Sequence, residues 1–252
     1  MSDRPDLRIN GRGSASGGTY GSVVVNGSAD IHGDTDCKDF ECRGHAGIAG
    51  SLRAESASFQ GAGVVRGNVE VGDLRVQGGF DADGTAKLGK LKLQGGGSFG
   101  GDVTAADIDV KGGLKVEGNC SGEDVKIRGG FNIQGLLNVE TLDAKVFFGC
   151  SAKEIGGGKI SVEGRGGIFW FRKLLGRINI PFAGAPGLTV ETVEGDDVYL
   201  EHTNARVVRG NRVRIGGGCN IGLVEFRQTY DCAADSTVTE CKRTGEALST
   251  RR

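Results

Sequence analysis

Apolar side chains recur along this chain in pairs two residues apart, and each pair sits just ahead of a glycine. Val23/Val25, Phe40/Cys42, Ala57/Phe59, Leu74/Val76, Leu91/Leu93, Ile108/Val110 and Val125/Ile127 stand four and two positions before Gly27, Gly44, Gly61, Gly78, Gly95, Gly112 and Gly129. Those glycines follow one another at 17-residue intervals, and Leu7/Ile9 before Gly11 opens the series one residue out of phase. A spacing of two puts both side chains of a pair on one face of an extended strand.

Two further pairs complete each period. Two and four positions after the glycine come Ala29/Ile31, Ala46/Ile48, Phe80/Ala82, Leu114/Val116 and Phe131/Ile133, with Gly63/Val65 and Gly97/Phe99 half filled. Eight and ten positions after it come Leu52/Ala54, Val69/Val71, Ala86/Leu88, Val103/Ala105 and Leu137/Val139. The period therefore holds three short strands spaced six, six and five residues apart, with a second glycine (Gly33, Gly50, Gly67, Gly84, Gly101, Gly118, Gly135) between the second and third. Three strands per period with glycine at the bends predict an all-β, three-sided parallel β-helix in which each strand stacks on its equivalent one turn later. Glycine suits the bends because the backbone there adopts positive φ at no steric cost. Proline, which cannot donate to an interior ladder, occurs only at Pro5, Pro181 and Pro186.

The pattern also divides the chain. Residues 1–6 form a polar N-terminal tail, and 7–164 the first part of the coil, with a one-residue slip between Leu142/Ala144 and Ile160/Val162. Residues 165–189 break the repeat with an aromatic and basic insertion that lacks acidic residues. Over 190–226 the interval of Val190, Val207 and Val224 predicts that the 17-residue coil resumes, and 227–252 reads as a flexible polar tail. About a dozen turns at roughly 4.8 Å each predict a rod about 55–60 Å long.

Composition narrows the function. The formal net charge is −1, from 31 basic and 32 acidic residues, which gives no electrostatic reason to expect nucleic acid. The N-terminus has no apolar run resembling a signal peptide, and no stretch reaches the roughly twenty apolar residues of a spanning helix; a cytoplasmic protein is expected. Cys42 and Cys120 fall at inward strand positions, and none of the seven cysteines has zinc-ligand spacing, so neither metal nor cofactor is expected.

A glycine-cornered coil followed by GDDVYLEHTNARVVRGNRVRIGGGCNIGLVEF, residues 195–226, resembles the bactofilins, bacterial polymer-forming cytoskeletal proteins. The resemblance implies a right-handed β-helix that polymerises end to end without nucleotide, often near a membrane. This chain departs from the family pattern in its longer coil, its insertion and its short N-terminal tail. Independently of the resemblance, a terminal turn exposes unpaired backbone groups and the edge of the apolar interior, a template for another chain. On this ground Leu7 and Ile9 at the first turn and Val224 at the last are expected to carry self-association; the resemblance implies the same role for Phe226, the apolar aromatic of the final turn where bactofilin subunits meet, and the alternative there is a plug for its own core.

The insertion has two readings. Phe169, Trp170, Phe171, Leu174 and Leu175 can enter a membrane interface or partner while Arg172 and Lys173 meet anionic groups, or the segment packs as a cover on its own coil. Enzymatic readings are poorer. His32, His45 and His202 have no acid, base or nucleophile grouped beside them in sequence, and the outward carboxylates are interspersed with Lys and Arg. The chain is thus expected to be a non-enzymatic scaffold whose partners are further copies of itself, with the inner membrane surface or a membrane protein as a second partner. A monomeric binding module with capped ends and an acyltransferase-like β-helix enzyme are the alternatives.

Overall fold

The computed structural model describes residues 4–164 and 187–245. These form β1 (Leu7–Thr19), β2 (Ser22–Ile48), β3 (Leu52–Val65), β4 (Val69–Ala82), β5 (Ala86–Phe99), β6 (Val103–Val116), β7 (Cys120–Val146), β8 (Gly149–Gly164), β9 (Gly187–Leu200), β10 (Thr203–Ile215), β11 (Asn220–Cys232) and β12 (Thr237–Arg243). Each pairs in parallel with its sequence neighbours, in the order β1 to β12, giving a solenoid of about 13 turns. From β3 to β7 the register advances 17 residues per turn, as in Leu74↔Leu91 and Leu91↔Ile108.

The corner glycines are needed sterically. Gly44, Gly61, Gly78 and Gly95 have φ between 126° and 130°, and a Cβ on any of them would lie 2.1 Å from the carbonyl oxygen of the glycine one turn earlier. The next corner is held by short polar side chains. The backbone N–H of Ser51 donates to Asp34 (2.7 Å), that of Thr85 to Asn68 (2.9 Å) and that of Asn119 to Asp102 (2.7 Å). These bonds satisfy donors that a bend would otherwise leave open.

All three inward pairs converge on one continuous core, within which Val25, Cys42, Phe59, Val110 and Cys120 are fully buried. Where the repeat lacks a side chain, a ring fills the space. Gly63 lies against Phe59 and Phe80, each of which would come within 3 Å of an added Cβ. Phe40, Phe59, Phe80 and Phe99 form a run of rings with centroids 5.2, 5.1 and 5.8 Å apart, contacts worth about 0.5–1.5 kcal/mol each beyond area burial.

Three expectations are corrected. After the insertion the coil does not return to 17 residues: Leu188 pairs with Thr203 and Val193 with Val208, a 15-residue turn, and Ala205 pairs with Ile221, a 16-residue one. Val190 therefore stacks on Ala205 rather than Val207. The shorter turns are accommodated by glycine at an inward position. A Cβ at Gly195 would lie 2.9 Å from Ile160 Cδ1 and one at Gly210 2.8 Å from Val213 Cγ2, so branched side chains already occupy the space beside these glycines. The expected tail from 227 is likewise coil as far as Arg243: β11 runs to Cys232, and β12 stacks on Asn220–Phe226. The strand through Gly187–Thr189 also places the coil's return three residues before Val190.

Candidate functional site at the ends of the coil

The linear strand order leaves β1 and β12 as the two edges, each paired on one side only. At the first edge, Leu7, Ala15 and Tyr20 are half-buried against the core, and Ile9 is 9% exposed. The described residues just before it, Arg4 to Asp6, prolong the ladder at its side. Gly21 N–H donates to the Pro5 carbonyl (2.9 Å), Ser22 N–H to the Asp6 carboxylate (2.8 Å), and Arg4 pairs with Asp36 (2.9 Å).

At the other edge the coil continues one layer beyond the residues expected to end it. Val224 is fully buried because Cys241 of β12 stacks on it, so Val224 belongs to the interior. Phe226 is half-buried, with its ring 5.5 Å from that of Tyr230. The outermost inward-column residues are Tyr230 and Cys232, stacked on Val213 and Ile215, and Val238 and Cys241, stacked on Ile221 and Val224. Tyr230, Cys232 and Val238 are half-buried and Cys241 is exposed. Burial, then its bond to the Cys232 thiol, pushes the Tyr230 phenol well above its ordinary range.

These ends account for every partly buried hydrophobic residue packed against the core among the described residues: Leu7, Ala15 and Tyr20 at one, Phe226, Tyr230, Cys232 and Val238 at the other. Sequence reading missed Tyr230, Val238 and Cys241 because TYDC and TVTEC set isolated apolar side chains among polar ones and have no corner glycine. The alternation in Thr229-Tyr230-Asp231-Cys232 was the available signal.

Phe169, Trp170, Phe171, Arg172, Lys173, Leu174 and Leu175 lie outside the described residues. The point where that segment leaves the coil is described. Glu201 N–H donates to the Val162 carbonyl (2.9 Å), the Glu201 carboxylate accepts from Gly164 N–H (3.2 Å), and the His202 carbonyl accepts from Leu188 N–H (3.0 Å). Two adjacent residues thus bond both roots. His202 has φ 45°, the one non-glycine residue with positive φ among those described. Its imidazole packs so closely on Gly164 and Gly218 that an added Cβ there would lie 2.4 and 2.5 Å from it.

The walls carry paired charges. Arg53–Glu70, Arg66–Asp83 and Lys90–Asp107 bridge successive turns at 2.8, 3.1 and 3.3 Å, all exposed, and contribute little individually. Among the described residues no cluster of His, Cys, Asp and Glu could hold a metal ion. His32 and His45 are exposed on the outer wall. A recess of about 650 Å³ is lined by Leu136, Thr192, Asp196, Arg209 and Glu225 among others. Its Arg209 is bonded to Glu225 (2.6 Å).

A shaft of like layers, with two strand edges each paired on one side only, is a repeat scaffold. Residues 1–87 match the family model described as Bactofilin, polymer-forming cytoskeletal. The protein YhbE of Bacillus subtilis (strain 168), described as uncharacterized, is 57% identical over 233 residues, covering 92% of this chain and 95% of YhbE. YhbF of the same organism, also described as uncharacterized, is 40% identical over 88 residues, 35% of this chain and 32% of YhbF. No solved structure matches. The chain belongs to the bactofilin family, a structural, polymer-forming cytoskeletal family.

Proposed function

We propose that this chain is a structural scaffold that associates with further copies of itself end to end, without nucleotide. The observation that carries the reading is the confinement of half-buried core hydrophobics to the first and last turns, beside the two unpaired strand edges. Stacking a second copy extends the parallel ladder and removes that apolar surface from water together, which couples hydrogen bonding to burial. The contact residues are Leu7, Ile9, Ala15 and Tyr20 at one end and Phe226, Tyr230, Cys232, Val238 and Cys241 at the other.

Sedimentation of the purified full chain tests this. Wild type should form concentration-dependent species larger than one copy, and Leu7→Arg or Val238→Arg should return it to a single copy with unchanged far-UV circular dichroism. Wild type sedimenting as one copy across the micromolar range, or both variants assembling normally, overturns the reading.

We also assign the 165–186 segment, through Phe169, Trp170, Phe171, Arg172, Lys173, Leu174 and Leu175, to contact with an anionic membrane surface, with the protein at the cytoplasmic face of the inner membrane. Its support is the sequence alone: adjacent aromatics with Arg and Lys and no acidic residue. The segment should carry wild type into the pellet with anionic vesicles and lose this in Trp170→Ala/Phe171→Ala; equal pelleting of the two removes the assignment.

A further inference from the structure

The seven cysteines divide by position in the coil. Cys37, Cys42, Cys120, Cys150 and Cys219 are buried inside the shaft, whereas Cys232 is half-buried and Cys241 exposed. Burial pushes the thiols of Cys37, Cys120 and Cys150 up to about 12 and that of Cys42 to about 11. Those thiols are inert fillers of hydrophobic positions.

The other two occupy inward columns at which no further layer stacks among the described residues. Cys232 sits over Ile215, and Cys241 over Val224. Ile215 and Val224 are 1% and 0% exposed, so the same columns are dry one layer down. The two thiols sit in the outermost inward columns of adjacent strands, β11 and β12, in the same layer as Tyr230 and Val238. Both therefore belong to the surface on which a second copy would stack. The edge at β1, with Leu7, Ile9 and Ala15, carries no cysteine.

We propose that the β11–β12 end is a thiol-modification site: a low-molecular-weight disulfide reacts at Cys241, or at Cys232 beside it, and the mixed disulfide caps this end against a further copy. This rests on the end-to-end reading and adds a chemical control to one of its two surfaces. In the step, the thiolate attacks one sulfur of the small disulfide. A protein–sulfur bond forms, the small disulfide's S–S bond breaks, and the leaving thiolate takes up the proton that the protein thiol lost. No electron is gained or lost overall, and a reducing thiol reverses the exchange by the same route.

Size explains the capping. Successive layers stack roughly 4.8 Å apart, and these columns hold side chains no larger than Ile and Val one layer below. A peptide-sized adduct has no room between layers, whereas a free thiol does. Reactivity is graded rather than high. Burial, with the neighbouring Cys232, raises the Cys241 thiol above its ordinary range, so the thiolate is scarce at neutral pH and exchange accelerates as the pH rises. Only an open end presents both sulfurs, so stacking protects them.

The test uses the full chain with glutathione disulfide at pH 8.5, read by sedimentation and intact mass. One or two adducts should form, at Cys232 and Cys241 only, large species should fall to single copies, and dithiothreitol should restore them. N-ethylmaleimide should label these residues at least about tenfold more slowly in assembled than in diluted protein, as expected when reaction requires opening. In the Cys232→Ala/Cys241→Ala variant no adduct should form, and its sedimentation should be the same with and without glutathione disulfide. Wild type that assembles, takes up the adduct and stays assembled overturns the thiol proposal alone, as does equal labelling in both states. Wild type that never assembles removes the end-to-end reading beneath it.

Discussion

Two adjacent glycines separate what the corner demands from what glycine content alone provides. Gly78 turns a corner with φ 130°, and a Cβ there would lie 2.1 Å from the Gly61 carbonyl oxygen. Gly79, next along the strand, has ordinary φ, and an added Cβ meets nothing within 4 Å. In Gly78→Ala, holding an L side chain in a glycine-only conformation costs about 1–3 kcal/mol. Relieving the overlap requires the two turns to part, weakening one or two ladder hydrogen bonds worth about 0.5–1.5 kcal/mol each. The sum is roughly 2–6 kcal/mol, or a fall in midpoint of about 4–20 °C for a chain of this size. Gly79→Ala should stay within about 1 kcal/mol and shift upward if at all, since it restricts the unfolded chain without straining the folded one. Thermal unfolding followed at the far-UV strand signal reads both. Equal losses at the two positions, or tolerance of alanine at Gly78, would refute the steric account of the corners.

Three other outcomes follow from the coordinates. Val224→Asp places a carboxylate in a fully buried column and should lower stability by several kcal/mol, whereas Val238→Asp, at the half-buried outer layer, should leave the melting curve nearly unchanged and abolish association. His202→Gly removes the strain of positive φ but also the imidazole wedged against Gly164 and Gly218; trypsin should then cut within residues 165–186 severalfold faster with the rest of the coil intact, and an unchanged cleavage rate would mean that the imidazole does not hold the roots. Tyr199 donates to the Glu201 carboxylate, which with burial pushes its phenol up to about 12 from an ordinary 10. Because the folded value is the higher one, its contribution to stability is whole below pH 10 and lost between pH 10 and about 12. Glu201→Gln should move its phenolate absorbance transition back toward the ordinary range.

Most of the coil was legible because one physical requirement repeats: inward side chains two apart and a glycine where φ must be positive. Leu74/Val76/Gly78 states the whole of it. The reading failed where that requirement is met by other means. After the insertion, the inward glycines Gly195 and Gly210 let the turn shorten to 15 residues, so Val190, Val207 and Val224 give a coincidental interval. His202, not glycine, takes the positive-φ corner. At the far end the outer layer is built from Tyr230, Cys232, Val238 and Cys241 among charged neighbours, a composition that looks like a tail until its strands are seen stacked on β10 and β11. Of the two residues expected in the last layer, Phe226 is half-buried and Val224 lies fully buried beneath Cys241.

The central claim is that the ends of the shaft are unfinished and that a second copy finishes them. Negative-stain images of the purified full chain, without nucleotide, test it most directly. The account predicts unbranched particles one coil wide whose lengths step by about 60 Å, the height of about 13 turns at roughly 4.8 Å each, and which Val238→Arg reduces to single rods. Wild-type single rods at every concentration, or particles that join only side by side, would contradict it.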